Sequence, residues 1–273
     1  MPIKKDGSGH RSVQVEVDIP CSPEAAWDAI ATGPGVTSWF VPTTVETDAN
    51  GKPVRVVANF GPGMESISDI TEWDPPHRLA AESLDLGPGA PPVATEWIVE
   101  ARDGGMCTVR VVHSLFASTD DWDNQLESFE SGWPGFFRIL RLYLQHFSGQ
   151  HGTAVQVQAR SELSPAEAWS RFAESTGFSG AAAGDHRRTA AGAPALAAHV
   201  ERVGAAAQRE DLLLRVDEPN PGVAHAFAMN LGGQTLLSLR IIFYGDQAAA
   251  AAAEHEPKWS QWLAGLFPPA PTT

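Results

Sequence analysis

His113 is the polar residue of this sequence with the strongest case for chemistry inside a folded domain. It lies in an alternating segment in which Val109, Val111 and His113 share one face. That face should point inward, and an imidazole titrates near neutral pH, so His113 suits proton transfer if a substrate lies beside it. An inward histidine is more commonly a hydrogen-bonded structural group. We therefore expect a structural role and keep catalysis as the alternative.

Three nearby acids, Asp120, Asp121 and Asp123, form the second candidate group. Paired carboxylates can perform acid–base chemistry. These aspartates, however, precede a helical pattern, where carboxylates cap free N–H groups and stabilise the positive end of the helix dipole. We interpret them as capping residues, and no residue of the sequence is assigned a catalytic role.

Metal, phosphate and serine chemistry lack their usual patterns. The nine histidines are scattered, and Cys21 and Cys107 lie far apart and outside any CxxC pair. The segments 61–63 and 87–89 are glycine-rich but contain prolines, which remove backbone donors, so they are turns rather than phosphate cradles. Ser8 lies between two glycines near the N-terminus and not at a strand-to-helix elbow. We predict no metal and no cofactor.

The composition is that of an acidic globular chain. Hydrophobic residues make up 43% and charged residues 19% of the 273 positions, and the formal net charge is -14. Such a charge repels phosphate backbones and anionic lipids. No stretch reaches the roughly 18 apolar residues of a membrane span, and residues 1–11 lack a signal-peptide core. We expect a cytoplasmic protein with reduced thiols, no nucleic-acid partner and no membrane insertion.

The first half of the chain alternates like a series of strands. Residues 12–19 alternate strictly, and Ser22-Pro23-Glu24 then begins a short helix that Gly33-Pro34-Gly35 ends, before a brief turn over 36–40. Further strands are predicted near 43–48, 53–60, 65–73, 78–84, 93–101 and 106–114. Gly-, Pro- and Asn-containing turns separate them, so we expect an antiparallel meander.

Beyond Asp121 the hydrophobic period becomes that of a helix. The apolar residues at helical intervals are Trp133, Phe136, Phe137, Leu140, Leu144 and Phe147. Pro134 lies inside this pattern, so we expect a break or a fresh start near Gly132. This helix should close the domain.

The same order of elements restarts after residue 150. Residues 153–160 alternate again, and the Ser164-Pro165 helix start with its Trp169 repeats the segment from Ser22 to Trp27 at an offset of 142 residues. Glu167 should complete a capping box with Ser164. A common tripeptide placed by chance would not reproduce both the strand and the helix at one offset, so we infer a tandem repeat.

The second copy is more degenerate than the first. An Ala/Gly-rich stretch at 177–207 weakens the strand pattern, so its sheet should be shorter or irregular. Strands are predicted at 210–217, 222–231 and 234–244. Asp246 should then cap a second closing helix, which contains the alanine run 248–253 and Trp259.

Several ordered motifs can be compared with known families. They are the opening strand and helix, Trp39-Phe40-x-Pro42, the turn from Asp74 to Leu79, and the closing helix with Gly132-Trp133. Together these motifs resemble the START-like (SRPBCC) superfamily, and within it they are most similar to homologues of the activator of heat-shock-protein-90 ATPase. The resemblance covers nearly all of 12–148, but only the opening and final helices of 153–267.

This resemblance implies an α+β helix-grip fold, in which a curved antiparallel sheet wraps around a long C-terminal helix and encloses an apolar cavity. We expect two tandem copies. The domains would be a flexible N-terminus 1–11, a first helix-grip domain 12–150, a second, degenerate one 151–268, and a tail 269–273. Activation of an ATPase is not expected, since the family members that do this carry a separate chaperone-binding domain.

Alternation also predicts which side chains face the cavity. Trp97 shares a face with Thr95 and Val99 in the strand 93–101. In the strand 53–60, Phe60 continues the inward row of Val54, Val56 and Ala58. Such residues either line a pocket or fill a core. The candidate ligand-binding residues are Trp39, Phe40, Phe60, Met64, Trp97, His113, Phe136 and Leu140.

Three functions fit this sequence. The favoured one is a carrier or sensor, in which the first copy holds a hydrophobic or amphipathic small molecule under Trp39 and Phe40 and the second copy has lost its cavity. The alternative is a cyclase or dehydratase that uses His113 or an unseen carboxylate on a polyketide-like substrate. A third is a chaperone-associated or other interaction module, which predicts a filled cavity and an exposed apolar patch. Intramolecular packing of the copies and a homodimer both stay open.

Overall fold

The computed structural model describes residues 3–6, 8–60, 63–83, 90–117, 122–206 and 209–268. Within these, the side chains of residues 125, 128–131, 205–206 and 209–210 are not described. The chain divides into two compact units, Met1–His151 and Gly152–Thr273. None of the described helices combines the length and apolar character needed to cross a membrane.

The first unit is an antiparallel sheet with three helices. Its described strands are β1 (Lys4–Lys5), β2 (His10–Ile19), β3 (Thr43–Thr47), β4 (Pro53–Asn59), β5 (Glu65–Asp74), β6 (Arg78–Ser83), β7 (Val93–Arg102) and β8 (Met106–Phe116). The helices are α1 (Pro23–Ala31), α2 (Gly33–Thr37) and α3 (Asp123–His146). The strand order is β1-β2-β8-β7-β6-β5-β4-β3, so the first long strand pairs with the last. The predicted meander is confirmed.

The segment after α1 differs from its prediction. We expected Gly33-Pro34-Gly35 to end the first helix, but α1 already ends at Ala31 and this segment begins α2. Thr32 separates the two helices, and its hydroxyl accepts a hydrogen bond from the Gly35 N–H at 3.0 Å. Pro34 supports the new start because its fixed φ suits the first turn of a helix.

The closing helix of the first unit is continuous. The expected break near Gly132 was wrong, since α3 runs through Pro134 without interruption. One proline removes only one backbone donor. The side chains of Trp133 and Phe137 on either side are buried, with 8% and 2% of their surface exposed. Their packing holds this turn in the helix.

The start of α3 also corrects an expectation. The N-cap residue is Trp122, which makes no side-chain capping bond, so Asp123 does not cap the helix. Asp123 does lie in the first turn, where its charge suits the helix dipole as predicted. Its two carboxylate oxygens accept hydrogen bonds at 2.6 Å, one from Lys5 and one from Arg11. Asp123 therefore ties the helix start to the N-terminal strands. Asp120 and Asp121 lie outside the described residues.

The second unit repeats this plan with fewer strands. Its described elements are β9 (Gly152–Ser161), α4 (Pro165–Thr176), β10 (His186–Arg188), β11 (Ala197–Ala206), β12 (Arg209–Glu218), β13 (Gly222–Leu231), β14 (Gln234–Tyr244) and α5 (Ala248–Leu266). The order is β10-β11-β12-β13-β14-β9, and the first strand again pairs with the last. Ser164 and Glu167 form the predicted capping box. The helix-grip fold in two tandem copies is confirmed.

The predicted shorter and irregular sheet is confirmed, because it has six described strands against eight and register shifts between β11 and β12. Two other details of the second unit were mispredicted. The Ala/Gly-rich stretch contains β10 and β11, because Ala198 and Val200 face the core and small side chains suffice there. The second closing helix begins at Ala248 behind Gln247, without a side-chain cap, so Asp246 is not its cap. An alanine-rich first turn forms a helix readily even without a cap.

The second unit has a filled core. Helices α4 and α5 contribute Phe172, Trp259 and Leu263, which pack with Leu239 and Ile241 of β14 in one buried cluster. A space of about 20 Å³ remains among these core residues. A second pocket of about 310 Å³ lies beside α4 and is lined by residues that include Trp169, Phe178 and Leu212. The loss of the cavity in the second copy therefore stays a prediction.

Candidate ligand-binding cavity

A cavity of about 440 Å³ lies in the first unit between the sheet and its helices. Strands β3 to β8 contribute alternate residues to its wall, as expected when every second side chain of a strand points to one face. The described lining residues are Ile30, Ala31, Val36, Phe40, Thr43, Val45, Val56, Ala58, Phe60, Ser66, Ser68, Leu79, Ala81, Ser83, Val93, Thr95, Trp97, His113, Gly132, Trp133 and Phe136.

Five aromatic residues line the cavity, and Phe40 contacts three of the other four. Its ring centroid lies 4.7 Å from that of Phe136 and 5.6 Å from that of Phe60, and both pairs meet edge to face. Trp133 lies 5.2 Å from Phe40 and 5.1 Å from Trp97. Phe60 is 49% exposed although it lines the cavity, so it marks the mouth. These contacts hold the rings in place around the free space.

His113 contributes an imidazole to the wall. Its Nε2 lies 2.7 Å from Nε1 of Trp133, and its Nδ1 lies 2.9 Å from Oγ1 of Thr95. An indole N–H can only donate, so Nε2 must accept and the ring proton resides on Nδ1. Nδ1–H then donates to the Thr95 hydroxyl, which keeps its own hydrogen as a donor. The two hydrogen bonds fix both the tautomer and the orientation of the imidazole.

Burial controls the charge of His113. The residue is 6% exposed, and burial lowers the pKa of its imidazole to about 4, because the charged form loses its hydration. The ring is therefore neutral at pH 7. Hydroxyl groups on four strands supply the other polar atoms of the wall: Thr43, Ser66, Ser68, Ser83 and Thr95. Of the described lining residues, none carries a charge at neutral pH.

The cavity brings together five of the eight predicted ligand-binding residues. These are Phe40, Phe60, Trp97, His113 and Phe136. The sequence analysis did not select Trp133, Ser68 and Ser83, although the alternation of β5 and β6 would have placed both serines on the inner face.

The other three predicted residues do not line the cavity. Trp39 is completely buried, and its Nε1–H donates to the carbonyl oxygen of Ala29 at 2.8 Å, so it supports the wall from behind. Leu140 is also completely buried in the closing helix. Met64 is 58% exposed just before β5. Trp39 and Phe40 leave the turn after α2 in different directions, and only Phe40 reaches the cavity.

Comparison with protein families finds a match in the first unit. Residues 10–140 match the family model described as polyketide cyclase / dehydrase and lipid transport. The match covers slightly less than half of the chain and lies wholly within the first unit. The predicted resemblance to the START-like superfamily is confirmed. No curated protein matches the chain.

Solved structures similar to this chain include both one-domain and two-domain proteins. The di-domain ARO/CYC protein BexL from the BE-7585A biosynthetic pathway is 11% identical, with 96% of this chain and 100% of that chain covered and a TM-score of 0.45. DynU16 from the dynemicin biosynthetic locus is 15% identical, with 93% and 96% covered and a TM-score of 0.41. The Aha1 dimer from Colwellia psychrerythraea is 19% identical, with 50% and 98% covered and a TM-score of 0.38.

Proposed function

We propose that the first unit binds one hydrophobic or amphipathic small molecule in its cavity and serves as a carrier or sensor. The volume of about 440 Å³ falls in the range of roughly 300–1,000 Å³ that is typical of small-molecule sites. The wall is aromatic and aliphatic, with a few hydroxyl groups and one neutral imidazole. A ligand would gain most of its affinity from burial of apolar surface.

The wall favours a flat, ring-containing ligand with some oxygen atoms. Phe40, Trp97 and Phe136 present ring faces and edges, and aromatic pairs add about 0.5–1.5 kcal/mol beyond area burial. The Thr95 hydroxyl can donate to a ligand carbonyl, because its oxygen accepts the hydrogen bond from His113 Nδ1–H and its own hydrogen remains available. An aromatic polyketide has both properties. The description of the family as cyclases, dehydrases and lipid transporters supports this ligand class.

The state of His113 is the observation that favours binding over catalysis. A general base must have a free lone pair and a pKa near the working pH. Nε2 of His113 already accepts the Trp133 N–H, and burial lowers the pKa of the ring to about 4. Proton abstraction would break this hydrogen bond and place a charge in an apolar cavity.

Cyclisation or dehydration of a polyketide-like substrate is the second candidate, and the family description favours it. Such a reaction would rely on the shape of the cavity and on hydroxyl groups such as that of Thr95 rather than on a histidine base. The interaction hypothesis has less support, because it requires a filled cavity and the first unit has an open one.

Ligand binding can be tested by blocking the cavity. Ala58 lines it, whereas the neighbouring Val57 points to the opposite face of β4. We expect Ala58→Phe to abolish binding of an anthraquinone probe, followed by quenching of tryptophan fluorescence, and Val57→Phe to bind like the unchanged protein. Native mass spectrometry and organic extraction of the purified full chain would identify a co-purifying ligand.

Three results would contradict the proposal. They are unchanged probe binding by a folded Ala58→Phe variant, equal loss of binding in Val57→Phe, and failure of the unchanged protein to bind any of a set of hydrophobic probes. Conversion of a poly-β-ketone to a cyclised product by the unchanged protein, with loss in Ala58→Phe, would establish the cyclase alternative instead. Circular dichroism of each variant checks that it has folded.

A further inference from the structure

Three potential metal ligands meet on the outer face of the second unit. His186 of β10 pairs directly with His199 of β11, so both side chains point to the same face of the sheet. The neighbours of His199 in sequence, Ala198 and Val200, face the core, so the histidines face outward. Asp217 of β12 stands at a register shift in the β11–β12 ladder, which leaves it without a directly paired residue. Such a bulge re-aims a side chain.

The ligand atoms converge with distances suited to a metal ion. Oδ2 of Asp217 lies 3.0 Å from Nε2 of His186 and 3.5 Å from Nε2 of His199. All three ligand atoms lie within 4.8 Å of one another. Ligands about 2.0–2.1 Å from a tetrahedral zinc ion are separated by roughly 3.3 Å. Small side-chain rotations would therefore bring the three atoms onto one ion.

The neighbouring arginines pair mainly with other carboxylates, so the closest partners of Asp217 are the two histidines. Arg188 pairs with Glu218 at 2.7 Å, and Arg215 donates from Nε to Glu201 at 3.1 Å. Arg215 also approaches Asp217, but on the other carboxylate oxygen, Oδ1, at 3.7 Å. Oδ2 thus faces both imidazoles while Oδ1 is held by the guanidinium, an arrangement that orients the carboxylate.

We propose that His186, His199 and Asp217 bind a divalent transition-metal ion of the zinc class. Two imidazole nitrogens and one carboxylate oxygen are a common ligand set for zinc and similar ions, whereas magnesium and calcium prefer oxygen ligands throughout. Half-exposure of the three side chains leaves room for water or a further ligand at the remaining position. The site lies within the second unit and is independent of the cavity, so either proposal can fail without the other.

Metal titration of the tag-free full chain tests the site. We expect isothermal titration calorimetry with Zn²⁺ to show one bound ion per chain, and Co²⁺ to give visible absorption bands typical of nitrogen and oxygen ligands. Because loss of a group that merely orients a ligand costs about 10–100-fold in metal affinity, each of His186→Ala, His199→Ala and Asp217→Asn should weaken binding at least about tenfold. His77→Ala, which removes an exposed histidine of the first unit, should leave binding unchanged.

Several outcomes would overturn the site. Absence of Zn²⁺ and Co²⁺ binding in the unchanged protein would do so, as would equal affinity in a variant that lacks all three side chains. Equal loss of binding in His77→Ala would indicate nonspecific surface coordination. Thermal unfolding in the presence of a chelator should give the same melting temperature for the unchanged protein and His199→Ala, which separates metal binding from misfolding.

Discussion

The two units of this chain share one order of elements, yet they differ in the free space they contain. The first encloses one apolar cavity of about 440 Å³, whereas the second has about 20 Å³ within its core and a separate pocket of about 310 Å³ beside α4. In both, the first long strand pairs with the last, a short helix follows the first strand, and a long helix closes the unit. The first sheet has two more strands than the second in the described part of the chain. The fold therefore permits a large apolar cavity in the core of a unit without requiring one, and the side chains decide whether that core is filled.

Three paired residues at corresponding positions of the two sheets show this difference in side chains most directly. In the first unit Val13 pairs with His113, which pairs with Thr95. At the corresponding positions of the second unit Val155 pairs with Ile241, which pairs with Ala224. Ile241 and Ala224 are almost completely buried and belong to the apolar core. The hydrogen-bonded pair His113 and Thr95 in the first unit thus corresponds to the apolar, packed pair Ile241 and Ala224 in the second.

The largest expected effects come from the buried tryptophans of the two units. Trp39→Ala and Trp259→Ala should each lower the free energy of unfolding of their own unit by about 4 kcal/mol, through lost packing and a new void. Native-state hydrogen exchange can measure each unit in the full chain.

Replacing each of these tryptophans with phenylalanine tests the hydrogen bond of the indole N–H. Trp39 donates to Ala29, whereas the buried Nε1 of Trp259 has no partner among the described residues. Trp39→Phe should therefore cost about 1 kcal/mol more than Trp259→Phe. The reverse order would show that the indole hydrogen bond does not stabilise the cavity wall.

The pH dependence of the first unit gives the next largest effect. The imidazole of an unfolded histidine titrates near 6.5, and burial lowers the pKa of His113 to about 4 in the folded unit. Between these values the unfolded chain binds more protons than the folded chain. The contribution of the neutral His113 to the free energy of unfolding is therefore fully present above pH 6.5 and is lost as the pH falls toward 4. The loss at the acidic end is about 3 kcal/mol.

Urea unfolding at several pH values, with His113→Gln as reference, checks this effect. The carbonyl oxygen of the glutamine can still accept the Trp133 N–H, but the side chain does not titrate. The difference in the free energy of unfolding between the two proteins should change by about 3 kcal/mol across the window. A constant difference would refute the assigned burial of a neutral ring.

Replacing His113 with the isoleucine found at the corresponding position of the second unit should lower the free energy of unfolding by a smaller amount. His113→Ile leaves the buried N–H of Trp133 without its acceptor, so we expect a loss of about 2 kcal/mol. The triple change His113→Ile, Thr95→Ala and Trp133→Phe should recover much of this loss, because all polar partners are removed together. If the single variant is as stable as the unchanged protein by urea unfolding, the polar wall is not needed for the fold.

The smallest effect concerns the two helix starts. Ser22 and Ser164 are N-cap residues, but only Ser164 belongs to a capping box, in which Glu167 also accepts from its backbone N–H at 2.9 Å. Each serine-to-alanine change should cost about 1 kcal/mol, with the larger loss at Ser164. Thermal unfolding of both variants measures the difference. Equal losses would mean that the box adds nothing to the cap.

Alternation and turn residues were sufficient to predict the first unit from its sequence. Every strand from β2 to β8 starts and ends within a few residues of its prediction, since each has one apolar face and a Gly-, Pro- or Asn-containing turn beside it. The strand β11 was missed because its core-facing positions include alanines, which carry little strand signal. Propensity fails where a core accepts small side chains.

The site was harder to predict than the fold. Trp39 and Phe40 look equivalent in sequence, and only the direction of each side chain in three dimensions separates a supporting residue from a lining one. The hydrogen bond from Trp133 to His113 joins a helix to a strand, which no local pattern reveals. The histidines of the proposed metal site belong to two unpredicted strands and meet Asp217 through a register shift.

The pairing of the first long strand with the last has a consequence for how the protein is made. Strand β2 pairs with β8, and β9 pairs with β14. Each sheet can therefore close only after nearly all of its unit has left the ribosome. Contacts between such distant parts of a chain carry a large loop-closure entropy and form slowly. The first unit can complete its sheet while the second is still being synthesised. Until then, the edges of β2 and β9 that will pair with β8 and β14 stay open to other strands.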